Sequence, residues 1–422
     1  MAFTTVRSAS GVDFIGTPGV DVGIIFDETG NVTLSGLGDA DVIQVNNSTL
    51  IQRTSSVNGG DGADRITFST NISDSSINGN KGADIISLAG SVSNSFVGGG
   101  EGSDNISGGT QYLASKIEGG AGSDTISLAP TLALATVNGG DGNDTITLFS
   151  GLLNSSSING NAGNDKISGI GLTLTLSGAN FIGGGAGDDT IDFAGTTDGV
   201  AGSAKGFDLT GGSGNDIING SAENDTIWGN ADNDTIQGNQ GKDTIYAGAG
   251  KDTITVLDSG DVITGGAGGD IYSKAAAATS TFIINSIAES AAATTGTAAA
   301  ATLTFDSFTG YAFAAGDVLN ISAVTNQLAG GPYTGVSSTT AGNIGGVFVA
   351  ADFAALKTQL DLGMYGASNS GFIQAWNFTA NIAGGGNQSY TWIQDSQSAY
   401  SSSDLLFQTA AGGFNAGTIN LV

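Results

Sequence analysis

Aspartates recur along this chain at fixed intervals, and most of them close a motif of the form Gly-Gly-x-Gly-x-Asp or a near variant. The interval is 20 residues from Asp64 to Asp144, widens to 27 residues before Asp216, and is nine residues from Asp216 to Asp270. An Ile follows two residues after almost every one of these aspartates. Because a strict period makes each repeat one structural unit that stacks on the next, the pattern predicts a solenoid.

Each nine-residue repeat divides into a glycine-rich turn of six residues and a short strand centred on the Ile. Side chains alternate across a strand, so the Ile points inward while its neighbours point outward. We therefore predict an all-β fold, a parallel β-roll or β-solenoid, with two nine-residue repeats per coil. In the longer repeats we interpret one coil as nine plus eleven residues, in which the eleven-residue half replaces the aspartate motif by an apolar, Ser, Thr and Asn loop.

Four parts follow from where the repeats begin and end. Residues 1–56 are predicted to be an N-terminal β capping region, because they contain only the degenerate motif Gly36-Leu37-Gly38-Asp39-Ala40-Asp41 and terminal repeats are commonly atypical. The long-repeat region (57–210) carries aspartates along one edge only, and the nonapeptide region (211–273) carries them along both. Residues 274–422 lack the repeat and are predicted to form a β-rich domain.

Composition excludes several classes of function. The formal net charge of −28 opposes binding to nucleic acid or anionic lipid and favours multivalent cations. The absence of Cys and His removes disulfides, thiolate metal sites and His-dependent hydrolases. No apolar run reaches the ~18 residues of a membrane span, and residues 1–8 lack the apolar segment of a signal peptide. We expect no membrane insertion, and any export would use an address elsewhere in the chain.

The turns have the chemistry of a calcium site. Glycines permit the positive φ of a tight turn, so backbone carbonyls can converge, and the aspartate adds a hard anionic oxygen. Ca²⁺ accepts six to eight such oxygens in loose geometry, whereas Mg²⁺ requires a smaller octahedral site. Nonapeptide β-helix repeats are a known calcium signature. A metal-free β-helix with ordinary Asx-turns is the alternative, and it does not require so many aspartates in phase.

We predict multiple Ca²⁺ ions, bound by carboxylates and by carbonyls of the first glycines of the long repeats. The predicted carboxylates are Asp64, Asp84, Asp104, Asp124, Asp144, Asp165, Asp189, Asp216, Asp225, Asp234, Asp243, Asp252 and Asp270, and the predicted glycines are Gly59, Gly79, Gly99, Gly119, Gly139, Gly160 and Gly184. Three motifs are eroded, and we expect weaker or empty sites there: those that end at Asp225, Asp234 and Asp261.

These motifs resemble the RTX (repeats-in-toxin) family, most specifically from Gly211 to Asp270. The resemblance implies a calcium-binding parallel β-roll. Its carboxylate ligands would be Asp216, Asp225, Asp234, Asp243, Asp252 and Asp270, and its carbonyl ligands Gly211, Ser213, Gly238 and Gly265. The C-terminal region is similar to tails of type I-secreted proteins: Phe305–Phe308 and Gly316–Ser322 resemble a capping segment, and Ser402–Phe407 with Ile419–Val422 resembles an uncleaved export signal. The resemblance therefore implies one-step export by type I secretion machinery and folding outside the cell.

RTX-bearing surface-layer proteins resemble this arrangement, so we expect a secreted structural protein that self-assembles into a surface layer or extracellular filament. The predicted contact is an apolar ridge along the long repeats, formed by Tyr112, Leu113, Leu132, Leu134, Leu152 and Leu153. A monomeric adhesin that binds a glycan, such as a cell-surface polysaccharide, or another cell is the first alternative. We expect no enzyme, although a polysaccharide-acting site of carboxylates alone remains a second alternative, with Asp188, Asp189, Asp192 and Lys205 as its candidate residues.

Overall fold

The computed structural model describes residues 4–8, 11–17, 19–20, 22–25, 31–45, 51–52, 55–200, 205–274, 281–283, 307–308, 318–320, 342–350, 374–382, 387–394, 405–409 and 419–420. The described residues form strands and turns, which confirms the all-β parallel solenoid. None of them forms a helix with the length and hydropathy needed to cross a bilayer. The chain divides into an N-terminal unit, Met1–Glu223, and a C-terminal unit, Asn224–Val422.

The N-terminal unit stacks its strands into three parallel sheets. The first sheet contains Gly11–Ile15, Asn31–Leu37, Ser56–Asp61, Ser76–Lys81, Phe96–Glu101, Lys116–Ala121, Thr136–Asp141, Ser157–Ala162, Phe181–Ala186 and Lys205–Ser213, with Thr4–Ser8 antiparallel at its end. The second contains Val22–Ile25, Val42–Val45, Arg65–Phe68, Ile85–Leu88, Asn105–Gly108, Thr125–Ser127, Thr145–Thr147, Lys166–Ser168, Thr190–Asp192 and Ile217–Asn219. The third contains Ile51–Gln52, Ile72–Ser73, Val92–Ser93, Tyr112–Leu113, Thr131–Ala133, Gly151–Asn154, Thr173–Ser177 and Thr197–Asp198.

Apolar rows fill the interior of these coils. Ile77 lies opposite Val97 in the first sheet and Ile86 opposite Ile106 in the second, and all four side chains are fully buried. Burial of one such side chain stabilises the fold by about 1.5–3 kcal/mol. The repeated Ile is therefore the residue that fixes which face of each strand points inward.

The eleven-residue half of a coil differs from its predicted form, because it contains the third sheet rather than only a loop. Tyr112, Leu132 and Leu153 of that half point into the core and are at most 3% exposed. The predicted apolar ridge is therefore wrong for these three residues. Leu113 and Leu134 do lie on the surface, where they are 40% and 60% exposed.

Stacking also begins before residue 57. Gly11–Ile15 pairs in parallel with Asn31–Leu37, and that strand pairs in parallel with Ser56–Asp61. The region predicted as a cap thus contributes coils to the same sheets, and the antiparallel Thr4–Ser8 is its terminal strand.

The C-terminal unit contains the same kind of coil, with two strands per turn. Its first sheet contains Asn224–Ala231, Thr244–Ala249, Val262–Ala267, Thr281–Ile283, Val318–Asn320 and Ile419–Asn420. Its second contains Thr235–Gln237, Thr253–Val256, Ile271–Lys274, Ser307–Phe308, Gly342–Ala350, Gln374–Ile382, Asn387–Gln394 and Leu405–Thr409. The last three strands pair antiparallel with one another in chain order, whereas Gln374–Ile382 pairs in parallel with Gly342–Ala350. Most of the predicted capping segment and export signal lies outside the described residues.

Candidate metal centres

The repeated aspartates form a ladder along one edge of the N-terminal unit. Each aspartate donates its backbone N–H to Oδ1 of the aspartate one coil later, over a nitrogen–oxygen distance of 2.7–2.8 Å. The successive members are Asp41, Asp64, Asp84, Asp104, Asp124, Asp144, Asp165, Asp189 and Asp216. We call this set the aspartate edge. Its regularity shows that the variable repeat length is absorbed elsewhere in the coil.

The C-terminal unit has two such ladders. One joins Asp225, Asp243 and Asp261 and the other joins Asp234, Asp252 and Asp270, with nitrogen–oxygen distances of 2.8–3.0 Å. The three aspartates of the eroded motifs, Asp225, Asp234 and Asp261, are buried members of these ladders.

The second carboxylate oxygen defines the candidate ligand. Oδ2 of Asp64, for example, is buried and has no hydrogen-bond partner among the described residues. The same holds for Asp84, Asp104, Asp124, Asp144, Asp165, Asp189, Asp243 and Asp252. A buried anionic oxygen without a partner is costly unless a cation compensates it.

The first glycine of each motif makes room for this oxygen. A Cβ on Gly59 would overlap both Oδ2 of Asp64 and the carbonyl oxygen of Gly79 in the next coil. Equivalent overlaps occur at Gly79, Gly99, Gly119, Gly139 and Gly160 with the aspartate five residues later and a carbonyl of the next coil. At Gly184, Gly211, Gly238 and Gly265 the overlap includes the aspartate five residues later. The predicted glycines thus line a cradle of carboxylate and carbonyl oxygens, and their role as metal ligands remains a prediction.

Burial disfavours the ionised form of these carboxyl groups in the metal-free protein. Desolvation is the largest effect, and it raises the pKa of Asp64 to about 6 and of Asp84, Asp124 and Asp189 to about 7. The hydrogen bond from the preceding coil lowers the pKa of Asp84, while the charges of Asp104 and Asp64 raise it. In the C-terminal unit, burial and the neighbouring carboxylates raise the pKa of Asp243 to about 9. The ladders therefore need protons or cations near neutral pH.

The donor set fits calcium. Carboxylate and carbonyl oxygens are hard ligands, and consecutive coils can contribute the several that Ca²⁺ requires. No three acidic side chains in the described part of the chain come close enough to hold an ion by themselves. In a ladder of this kind each coil would supply one carboxylate and the backbone would supply the remaining oxygens.

A second edge of the N-terminal unit, between its third and first sheets, is built from neutral oxygens. Ser55 donates its backbone N–H to Oγ of Ser75, Ser75 to Ser95 and Ser95 to Ser115, at 3.1–3.3 Å. Farther along, Ala135 donates to Ser156 and Ser156 to Oδ1 of Asn180. We call Ser55, Ser75, Ser95, Ser115, Ser156 and Asn180 the serine edge. The aspartates of the long repeats therefore lie on one edge, as the predicted asymmetry requires, and the location of the ions stays a prediction.

Comparison with known proteins agrees with this geometry. The family described as RTX calcium-binding nonapeptide repeat matches the chain in four copies, at residues 136–151, 149–169, 210–245 and 237–272. These parts of the chain therefore consist of RTX-type calcium-binding nonapeptide repeats. No curated protein and no solved structure matches it. RTX nonapeptide repeats bind calcium, which supports Ca²⁺ as the ion for the ladders.

The predicted ligands leave out two ladder members, Asp41 and Asp261, which close a degenerate motif and an eroded motif. At Asp41 the signal was present, because Gly36 stands five residues earlier and a Cβ there would overlap Oδ2 of Asp41. At Asp261 the signal was weaker, because Val256 replaces that glycine. The serine edge was also missed, although a buried Ser before the Ile or Val of the first sheet recurs in the long repeats.

The candidate residues of a carboxylate-only enzyme have separate partners. Asp189 belongs to the aspartate edge, while Oδ1 of Asp188 accepts the N–H of Asn215 at 2.7 Å. Asp192 accepts the N–H of Ala194, and Nζ of Lys205 donates to the carbonyl of Gly178. Each carboxylate thus has a local structural role.

Proposed function

We propose that this protein is a secreted calcium-binding structural protein that folds outside the cell on Ca²⁺ and self-assembles into a surface layer or an extracellular filament. The carrying observation is the aspartate edge, where the consecutive coils from Asp64 to Asp189 bury carboxylate oxygens that have no hydrogen-bond partner among the described residues. Ca²⁺, when bound, would neutralise these oxygens and bridge neighbouring coils. Folding and metal binding are then one equilibrium.

Export is supported by the same argument. At low calcium the buried carboxylates repel one another, so the folded coils are disfavoured and the chain stays extended enough for a secretion channel. At millimolar external calcium the balance reverses. Type I secretion machinery is the proposed partner, in keeping with the usual export route of RTX-repeat proteins.

Self-assembly is supported by apolar side chains that remain on the surface of consecutive coils. Leu113 and Leu134 belong to adjacent coils of the third sheet. Phe149 and Ile170 follow the ends of neighbouring strands of the second sheet and are 48% and 58% exposed. Exposed apolar groups that repeat along a stack give copies of the chain a periodic contact surface.

A glycan-binding adhesin is the second candidate, because a shallow groove of about 690 Å³ runs along the serine edge. Its lining includes Phe96, Lys116, Asp74, Asn94 and several serines. Hydroxyl, amide and charged groups beside an aromatic ring are the groups that hold a sugar. A cell-surface polysaccharide would be its ligand.

Negative-stain electron microscopy of the full chain, in millimolar Ca²⁺ and in chelator, tests the proposal. Ordered sheets or filaments that disappear on chelation are the expected result, and Mg²⁺ in place of Ca²⁺ should not restore them. Dispersed monomers in both conditions would overturn self-assembly and favour the adhesin. A glycan-array screen of the calcium-loaded protein would then identify the ligand class.

A further inference from the structure

The motif that ends at Asp261 has lost the glycines that define its turn. Val256, Leu257 and Ser259 occupy the first, second and fourth positions, where the motif that ends at Asp270 has Gly265, Gly266 and Gly268. Gly266 and Gly268 take φ values of 101° and 145°, a region that side-chain-bearing residues rarely adopt. The backbone of 256–260 therefore cannot present its carbonyls as the other turns do.

Other turns share one hydrogen bond that this turn lacks. The glycine N–H at the fourth motif position donates to the backbone carbonyl of the third position one coil later. In the C-terminal unit Gly250 donates in this way to the carbonyl of Ala267 at 2.8 Å. In the N-terminal unit the acceptors are the carbonyls of Lys81, Glu101, Ala121, Asp141, Ala162, Ala186 and Ser213.

At the eroded turn a side chain takes the place of that carbonyl. The N–H of Gly241 donates to Oδ2 of Asp258, also at 2.8 Å. Asp258 stands at the third motif position, so its carboxylate occupies the place in the hydrogen-bond pattern that a backbone carbonyl fills in the intact turns. A charged oxygen has thus replaced a neutral one in this hydrogen bond.

The remaining oxygen of Asp258 has no assigned role in the protein. Its Oδ1 is buried and has no hydrogen-bond partner among the described residues. The neighbouring ladder residue Asp243 is 1% exposed, and its Oδ2 likewise lacks a partner. Asp258 also acts electrostatically on both Asp243 and Asp261. Two unpartnered carboxylate oxygens thus belong to neighbouring groups of one edge.

We propose that Asp258 is a calcium ligand that replaces the lost backbone carbonyl, so that the eroded turn between Asp243 and Asp261 is a working calcium site. This inference rests on the proposed calcium binding of the ladders and adds a side-chain ligand at the third motif position. It reverses the expectation that this repeat holds a weak or empty site.

Asp258→Asn is the decisive variant, because the amide keeps an oxygen that can accept the N–H of Gly241 while the charge is removed. Asp74→Asn, on an exposed turn of the serine edge, is the control with the same change in net charge. Calcium stoichiometry and affinity of the full chain would be measured by native mass spectrometry and flow dialysis. We expect Asp258→Asn to bind one ion fewer per chain at a free Ca²⁺ that saturates the other sites, and Asp74→Asn to match the wild type.

Unchanged stoichiometry and affinity in Asp258→Asn would overturn the inference and leave calcium binding by the ladders intact. A wild-type chain that binds no calcium would overturn the proposed function itself, so the two failures are distinguishable. Asp258→Glu guards against a folding defect of the Asn variant. It retains the charge on a longer side chain, and we expect it to keep the ion count with lower affinity at one site.

Discussion

The aspartate edge and the serine edge of the N-terminal unit have the same ladder of backbone N–H donors but different kinds of acceptor. On the aspartate edge a backbone N–H meets a carboxylate at 2.7–2.8 Å, and on the serine edge it meets a neutral oxygen at 3.1–3.3 Å. The Ser hydroxyls are satisfied in turn, since Oγ of Ser75 donates to the carbonyl of Ser73. The carboxylates from Asp64 to Asp189 keep a buried oxygen that has no hydrogen-bond partner in the described part of the chain. The hydroxyls of the serine edge therefore find their partners within the protein, whereas the carboxylates of the aspartate edge need a proton or a cation.

Removal of Ca²⁺ by a chelator should have the largest effect of all the tests of this difference. An ion present at a hundred times its Kd stabilises the fold by about 2.7 kcal/mol, and a whole domain is stable by only about 5–15 kcal/mol. Loss of several ions should therefore unfold the coils at neutral pH. Circular dichroism and thermal melting in EGTA, with Ca²⁺ or Mg²⁺ added back, would check this. A melting temperature that does not respond to chelator would contradict the dependence of the aspartate edge on metal.

In chelator, single substitutions on the two edges should change the free energy of unfolding in opposite directions. Asp124→Asn removes a buried charge, so we expect it to lower stability in Ca²⁺ but to raise it in chelator. Ser115→Ala leaves the N–H of Ser95 without its acceptor, which costs about 1–3 kcal/mol in both conditions. Denaturant titrations of both variants, with and without Ca²⁺, measure the contrast. A calcium-independent loss in Asp124→Asn would make the aspartate edge equivalent to the serine edge.

The metal-free protein should become more stable as the pH falls. Burial raises the pKa of Asp84, Asp124 and Asp189 from 3.8 to about 7. A carboxyl whose folded pKa lies above its unfolded value contributes its full stability below the unfolded pKa and loses it as the pH rises through the folded pKa. In chelator the melting temperature should therefore be higher at pH 5.5 than at pH 8. In saturating Ca²⁺ the trend should reverse, because protons compete with the ion.

A melting temperature in chelator that is the same at pH 5.5 and pH 8 would contradict this prediction. It would show that solvent or protein groups compensate the charge of the ladder without protons. Substitution of Asp124 by Asn should reduce the slope, since one titrating group is lost. Ser115→Ala should leave the slope unchanged, because the serine edge does not titrate in this range.

The sequence predicted the fold and the aspartate edge because both depend on short-range periodicity. Ile86 follows Asp84 by two residues, and that spacing alone places one side chain in the core and the other in the turn. The third sheet was missed although its inward residues Ile72, Val92, Tyr112 and Leu132 also recur every 20 residues. Each is a buried apolar residue in a short segment without the glycine and aspartate motif, so the segment has the composition of a loop while its side chain packs in the core.

Asp258 illustrates the same limit at the level of one ligand. The loss of glycines predicts that the turn at 256–261 cannot bind calcium, because the glycine pattern reports only on backbone conformation. It does not show that a side-chain oxygen has taken the place of a backbone oxygen. The contact of Asp258 with Gly241 joins residues 17 apart. Only the coil register shows that the carboxylate stands where a carbonyl is expected.

The smallest predicted effect concerns a third ladder, which runs on the surface beside the aspartate edge. Asn164 donates its backbone N–H to Oδ1 of Asn143, and Asp188 donates to Oδ1 of Asn164, at 2.8 and 3.0 Å. Both bonds are solvent-exposed, so water can replace an acceptor that is removed. Asn164→Ala should cost at most about 0.5–1 kcal/mol and leave the calcium stoichiometry unchanged. A larger loss, or a lost ion, would mean that the oxygens around the turn act together, and that the difference between the edges extends beyond the buried aspartates to the surface of the turn.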